Sequence, residues 1–359
     1  MSKITVIPFG PQHPVLPEPV QLRLELKDEK VVSVIPALGY VHRGLEKLVE
    51  IKDYLQTVYI VERVCGICSF IHSVAYCQGI EEMMGVEVPP RARFLRVIWS
   101  ETHRLHSHLL WLGLLADSFG FENLFMQVWR AREAVLDLQE STSGGRVILG
   151  VCCVGGVRRD IDDAGRDRIK ATLDKLERDI SRIVHPILKD YSVQQRTVGV
   201  GRISPELTRE RGAVGPVARA AGIVQDLRQT GYAAYGELDF QPVVETAGDC
   251  YARILVRVRE MSQSIELIRR AVARMPVSPI NVPVKGNPDG ETVSRVEQPR
   301  GEVVYYLKGN GGKNLTRMRI RTPTFANIAA LLAMLPGCEL ANVPVITLSI
   351  DPCISCTER

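Results

Sequence analysis

Over the first 35 residues hydrophobic and polar side chains alternate. Val20, Leu22, Leu24 and Leu26 fall on one side of an extended segment, and Gln21, Arg23 and Glu25 on the other. The polar run Asp28-Glu29-Lys30 then leads into Val31-Val32-Ser33-Val34, which predicts a hairpin with one buried face. From about residue 46 to 275 the spacing becomes helical. After Pro89-Pro90, apolar residues recur at Phe94, Ile98, Leu105, Leu109, Leu112 and Leu115. They predict a helix of about 28 residues, some 42 Å long at roughly 1.5 Å per residue. Asp160 and Asp162 suit the start of a second helix, striped by Ile169, Leu173, Leu176, Ile180 and Ile183. A third pattern runs through Tyr251, Leu255, Val258, Met261, Ile265 and Ile268. Stripes this long predict a bundle.

Residues 277–300 are rich in Pro and Gly and read as irregular. A second hairpin is expected from Glu302–Lys308, the turn Gly309-Asn310-Gly311-Gly312, and Leu315–Arg321. There is no internal repeat, low-complexity tract or linker. The expected architecture is mainly α, one domain over 1–359: a β-rich N-terminal part with a hairpin (1–45), a long-helix bundle core (46–275), and a segment 276–359 with a small C-terminal β-hairpin.

Composition narrows the classes. Apolar residues make up 45% and charged residues 24%, with a formal net charge of +4. That is the balance of a globular protein with a sizeable core, and the charge is too small and too mixed in sign to argue for nucleic acid. Leu109–Leu115 and Ile328–Leu335 are the most apolar runs and are too short to span a bilayer. The opening residues lack a secretory h-region and a twin-arginine motif, so a cytoplasmic location is expected. Nine cysteines there read as thiols or ligands in preference to disulfides.

Four of these cysteines form two CxxC pairs near opposite ends of the chain: Cys65 and Cys68 in RVCGIC, Cys353 and Cys356 in DPCISC. Thiolates at i and i+3 can converge on one metal. Four together form a soft site that suits zinc, an iron–sulfur cluster, or nickel with iron. A zinc ribbon usually sets its pairs roughly 15–20 residues apart, whereas here the fold must close almost the whole chain around the metal. His103, His106 and His108 stand at i, i+3 and i+5, which does not place all three on one helical face. They read as packing, as do Cys77, Cys152, Cys153, Cys250 and Cys338. Gly309–Lys313 lacks the spacing of a phosphate loop.

Upstream of the first pair stands Arg43-Gly44-Leu45-Glu46, with sixteen residues between Glu46 and Arg63. The order RGxE, sixteen residues, RxCGxC, and a closing DPCxxC resembles the paired signatures of nickel–iron hydrogenase large subunits. The resemblance covers almost the full length. It implies that Cys65 and Cys353 are terminal nickel ligands, and that Cys68 and Cys356 bridge to an iron carrying carbon monoxide and two cyanides. It implies heterolytic cleavage of hydrogen, with the proton leaving through Cys353 and then Glu46. It places Arg300 over the open metal position with Asp117 holding it, Pro323 and Thr324 beside a cyanide, and His72 against a bridging sulfur. Arg63, inside the first signature, also belongs to the cofactor surround. Folding the second hairpin about Asn310-Gly311 would set Arg300 roughly opposite Arg321, with Thr324 near the same end.

GPQHP at Gly10–Pro14, GYVHRG at Gly39–Gly44 and GGVRRD at Gly155–Asp160 resemble the complex I branch of this superfamily. In that branch the related subunit lines a quinone cavity but lacks the four cysteines. Tyr76 stands where the relative has its quinone tyrosine, yet the second histidine of the quinone loop is missing after His13. Hydrogenase large subunits mostly place a histidine three residues after the last cysteine. Arg359 stands there instead, which speaks against a structural magnesium or iron at that end. The resemblance best fits an energy-converting or carbon monoxide-linked hydrogenase. It implies reversible proton reduction with ferredoxin electrons at the cytoplasmic face of the cell membrane. Iron–sulfur clusters would lie only in partners: a small subunit with a proximal 4Fe-4S cluster and a ferredoxin-like subunit. Integral membrane subunits would translocate ions. A quinone-site subunit and a zinc-stabilised structural subunit are the alternatives.

Overall fold

A computed structural model describes residues 4–359. The alternating N-terminal segment forms an antiparallel sheet of β1 (Thr5–Phe9), β2 (Gln21–Lys27) and β3 (Lys30–Ala37). Asp28 and Glu29 join β2 to β3 with φ of 50° and 63°, the left-handed pair that a two-residue hairpin turn requires. Leu22, Leu24 and Leu26 are buried, as their alternation predicts. They pack with Ile203, Leu331 and Leu335 in a core separate from that of the bundle. The strand β1 extends the expected hairpin by one member.

Short helices α1 (Leu45–Val49) and α2 (Tyr54–Glu62) lead into α3 (Ser69–Met84), α4 (Pro90–Ser118) and α5 (Glu122–Ser143). A ribbon of β4 (Cys152–Cys153) and β5 (Gly156–Val157) precedes α6 (Asp163–Lys189). Three short helices follow, α7 (Tyr191–Thr197), α8 (Pro205–Glu210) and α9 (Pro216–Ala220), and then α10 (Cys250–Arg274). The 29 residues of α4 match the expected length. Asp162 caps α6 by accepting from the Gly165 amide at 2.7 Å, and every residue of its stripe is buried.

Two elements depart from expectation. On α10, Tyr251, Leu255 and Val258 are only half-buried, whereas Arg253, Arg257, Glu260 and Ser264 are buried. The helix is enclosed on most sides, and part of what it buries is charge. The Pro- and Gly-rich stretch, expected to be irregular, contains a strand, β6 (Asp289–Gln298), paired over its full length with β7 (Gly301–Asn310). Its inward side is Thr292, Ser294, Val296 and Gln298, too polar to show a hydrophobic period. The turn of this hairpin is Pro299-Arg300, because Gln298 pairs with Gly301. The strand β8 (Arg317–Arg321) completes the sheet with Arg321 opposite Val304, so Arg300 is not opposite Arg321. Then come α11 (Pro323–Met334), α12 (Val343–Ser349) and α13 (Ile354–Glu358). The sheet lies on α3 at Gly79, where a Cβ would come within 2.6 Å of Leu307 Cδ1.

Glu62, the last residue of α2, is fully buried with no donor on either carboxylate oxygen. Burial pushes its carboxyl up to about 7, against the nearby charge of Arg158. The folded chain therefore keeps a proton that the unfolded chain has lost, and stability falls as pH rises from about 4.5 to 7. Glu62→Gln is expected to leave stability unchanged below pH 4 and to raise it by about 3 kcal/mol at pH 8. Denaturant midpoints at the two pH values measure this, and equal gains at both would refute the assignment.

Candidate metal centre

Both CxxC motifs sit at helix starts. Cys68 immediately precedes α3 and Cys353 precedes α13, so each turn points two sulfurs inward. Cys65 Sγ lies 3.4 Å from Cys353 Sγ, and Cys68 Sγ 3.9 Å from Cys356 Sγ. The sulfurs of Cys65, Cys68 and Cys356 all fall within 4.8 Å of one another. All four residues are buried. The amides of Ile67 and Cys68 point at Cys65 Sγ at 3.2 and 3.4 Å. The thiols of Cys353, Cys356 and Cys68 draw Cys65 well down, while burial pushes Cys68 and Cys356 well up. As a bare set, the site supports little negative charge. Four thiolates there need a cationic centre, and a thiophilic metal fits the donors.

Arg300 is 2% exposed at the β6–β7 turn. Its Nε donates to the Asp351 carbonyl and its Nη2 to Asp351 Oδ1, both at 2.8 Å. Nη1 reaches Ser107 Oγ at 3.4 Å. Burial works against the guanidinium charge, but Asp351 and the sulfurs of Cys353 and Cys65 outweigh it. The turn can approach this closely because Gly301, at φ 128°, rests on Gly215. A Cβ on Gly301 would stand 2.7 Å from the Gly215 nitrogen. The expected partner Asp117 is wrong. It is exposed in the last turn of α4, about 15 Å along the helix from Ser107 at roughly 1.5 Å per residue. Asp351 takes its place, at φ 57°, a conformation that aspartate tolerates better than most residues. It lies inside the DPCxxC motif, which was the available signal.

His72 is fully buried on α3, with Nε2 3.5 Å from Cys356 Sγ and Nδ1 2.6 Å from the Tyr305 hydroxyl. Burial lowers it to about 4, so the ring is neutral at physiological pH. The neutral ring carries one proton, so one of its nitrogens donates and the other accepts across these two contacts. Thr324 Oγ accepts the Cys353 amide at 3.1 Å, beside the buried Pro323 that opens α11. The Thr322 hydroxyl donates to the Cys356 carbonyl at 3.0 Å.

Two expected residues are engaged by other groups. Arg63 is exposed and turns back to the Tyr59 carbonyl at 2.7 Å, because it caps the end of α2. Glu46 accepts from Arg359 Nε and the Ile320 amide at 2.9 Å and from Arg319 at 3.3 Å. It lines an open cleft of about 320 Å³ with His42, Lys47, Arg317, Arg319 and Arg359. Tyr76 spends its buried hydroxyl on the Tyr54 carbonyl at 2.8 Å, and this does not favour a quinone site. Sequence reasoning missed the residues that tie the motifs together. Arg43 donates to the carbonyls of Arg63, Val64 and Ser355 at 2.7, 2.9 and 3.2 Å. The Glu18 carboxylate accepts the amides of Ile354 and Ser355 and the Ser355 hydroxyl.

Comparison with known proteins agrees with this geometry. Residues 43–117, which carry the first motif, match the nickel-dependent hydrogenase family. Residues 118–287 and 284–359 match the 49 Kd subunit of respiratory-chain NADH dehydrogenase. The carbon monoxide-induced hydrogenase of Rhodospirillum rubrum is 43% identical over the whole of both chains. The membrane-bound hydrogenase subunit alpha of Pyrococcus furiosus is 39% identical over 98% of this chain and 87% of that one. The chain belongs to the membrane-bound hydrogenase large-subunit family related to the respiratory 49-kDa subunit. In structure, this hydrogenase-family subunit resembles a chain of an archaeal respiratory membrane complex, the membrane-bound sulfane sulfur reductase. The TM-score is 0.95 at 30% identity, over 99% and 98% of the two chains. Among its described residues no helix is long and apolar enough to cross a membrane.

The Arg300–Asp351 pair is buried on both sides, and removing one partner of such a pair strands a charge. Asp351→Ala is expected to cost about 3–5 kcal/mol. Asp117→Ala should stay within about 0.5 kcal/mol of the parent. Chemical denaturation of the two variants decides between these partners for Arg300, and the reverse ranking would restore Asp117.

Proposed function

We propose that this chain is the hydrogen-activating subunit of a nickel–iron hydrogenase that reversibly reduces protons with electrons from ferredoxin. The observation that carries the reading is the convergence of four buried sulfurs from opposite ends of the chain, close enough to Arg300 to act on its charge. Cys65 and Cys353 would hold nickel, and Cys68 and Cys356 would bridge it to an iron bearing carbon monoxide and two cyanides. When bound, the pair supplies redox-active, Lewis-acidic chemistry for hydrogen.

The chain's own residues do the rest. Arg300 presents a fixed positive charge, aimed by Asp351 and Ser107, where charge develops during cleavage. His72 Nε2–H faces Cys356 and tunes that sulfur. Thr324 fixes the Cys353 backbone through its oxygen and keeps its own proton for a cyanide. Cys353 Sγ accepts the proton of the cleaved hydrogen. Glu46 receives it when its carboxylate leaves Arg359 and Ile320, and the open cleft delivers it to solvent.

Among the described residues, the remaining five cysteines form no further ligand set. Electrons therefore enter through a partner, a small subunit with a proximal 4Fe-4S cluster fed by a ferredoxin-like subunit. Integral membrane subunits would couple the reaction to ion translocation at the cytoplasmic face. A quinone-site subunit or a zinc-stabilised structural subunit is not favoured, because neither needs an arginine over four thiolates.

Elemental analysis and infrared spectroscopy of the purified complex test this reading. One nickel and one iron per chain, with one carbonyl and two cyanide bands, are expected; zinc without bands in a fully matured preparation would overturn it. Glu46→Gln should keep both metals while slowing hydrogen oxidation by roughly 100-fold or more. Retained turnover would remove Glu46 from the relay.

A further inference from the structure

Behind the Arg300 turn lies a second cluster of charge that the proposed reaction does not use. Glu101 and Arg104 come from α4, Arg219 from α9, Asp226 and Arg228 from the following loop, Glu260 from α10 and Glu297 from β6. Each is at most 2% exposed. The hydrogen bonds within this set join four carboxyl groups to three guanidinium groups. His108 adds no charge, because burial lowers it to about 4. Within this bonded set the carboxyls outnumber the guanidiniums by one, and a buried carboxyl without a guanidinium of its own favours the protonated form.

Geometry decides which carboxyl that is. Glu101 accepts from Tyr235, Ser264, Arg104 and Arg228. Asp226 receives Arg228 through its amide, Nε and Nη2. Glu260 holds Arg219 through two nitrogens and meets His108 Nε2 at 2.9 Å. Glu297 has the least. Its Oε1 accepts Arg219 Nη1 at 2.8 Å, a nitrogen that also faces Asp226 at 3.1 Å, and its Oε2 has only the Leu227 amide at 3.2 Å. Arg104 donates to the Glu297 carbonyl, not its carboxylate, and the Tyr232 hydroxyl accepts the Glu297 amide. Arg257, the next buried ion along α10, acts on Glu260 only through space; its hydrogen bond goes to the Ser349 carbonyl and its guanidinium stacks on Trp111.

We propose that Glu297 is a positioning residue that takes up and releases the one surplus proton of this cluster, changing the charge behind the turn that carries Arg300. The inference rests on the metal-centre reading above. Two contacts tie the cluster to that turn. Arg104 Nη1 holds the Gln298 carbonyl at 3.1 Å, and one helical turn further along α4 Ser107 meets Arg300. The cluster also approaches the surface, since Arg219 Nη1 holds the carbonyl of the exposed Gln225 at 2.9 Å. Burial first, and then the Asp226 charge, push the Glu297 carboxyl up to about 7. The step is simple: a proton from solvent adds to a Glu297 carboxylate oxygen in acid, and the carboxylic acid gives it back to solvent in base. Below that pH Arg219 serves Asp226 and Glu260 alone; above it a third carboxylate competes for the same guanidinium.

The test is a pH titration of the intact complex by difference infrared spectroscopy, read in two places. In the parent, a carboxylic C=O band should vanish as pH rises through about 7, and the carbonyl and cyanide bands should step to lower frequency with it. Glu297→Gln should lose both changes with its nickel content intact, and Glu297→Asp should restore them at a shifted midpoint. Persistence of both steps in Glu297→Gln overturns the proposal, as does a C=O change without movement of the metal-ligand bands. Absence of nickel and of those bands from the parent overturns the metal reading instead. The C=O band, which needs no metal, then still decides whether Glu297 holds the proton.

Discussion

The guanidinium of Arg43 touches the carbonyls of Arg63 and Val64 on one side and of Ser355 on the other. Those carbonyls belong to two cysteine motifs 288 residues apart, and the centre exists only while both are held. Closing a loop of that length carries an entropic cost that grows slowly with length, so a few well-placed bonds can hold it shut. Residues 18 to 46 provide them. Glu18 takes the amides of Ile354 and Ser355, Glu358 takes those of Gly39 and Val41 at 2.6 Å, and Arg359 pairs with Glu46. The N-terminal sheet and its loops thus act as a clamp on the last turn of the chain. The bonds are charge-assisted and mostly made to backbone, so they fix the main chain from which the sulfurs project.

This clamp explains which parts of the protein were legible in the sequence. Helices α4 and α6 announce themselves because their stripes face apolar neighbours, and β2 because one side of it faces a core. The sulfur set was legible because chemistry confines it to cysteine at fixed spacing. The strand β6 was not, since its inward residues are small or polar and pack on Gly79 of α3. The charged face of α10 was hidden for a similar reason. Arg253, Arg257 and Glu260 look like a solvated face in one dimension, yet each is fully buried. Nothing local distinguishes a buried ion from an exposed one; its partners lie on α4, α9 and α12. The error over Asp117 has the same source, because which acid meets Arg300 is fixed by the turn at Pro299-Arg300 and not by position along α4.

So much buried charge is poor evidence for stability. Each ion taken from water costs several kcal/mol, and an apolar replacement of similar volume often does as well. The arrangement is better read as a scaffold of fixed dipoles around the site. Arg300 is held by Asp351 and Ser107, Ser107 stands on the helix that carries Glu101 and Arg104, and Arg104 in turn grips the strand leading to Arg300. The path closes on itself. A ring of mutual contacts leaves Arg300 few alternative rotamers and holds its charge in one place.

A scaffold of this kind does not choose its own reaction. Each of the four sulfurs occupies a buried position of the scaffold. What the scaffold dictates is that those positions are dry, close together and overlooked by one permanent cation. Dryness makes uncompensated thiolates untenable, which is why burial pushes Cys68 and Cys356 so far up. The same dryness makes a bound metal's charge worth more than it would be in water. The fold therefore sets the electrostatic demand and the cysteines determine what can meet it, which places the functional decision in four side chains and not in the architecture.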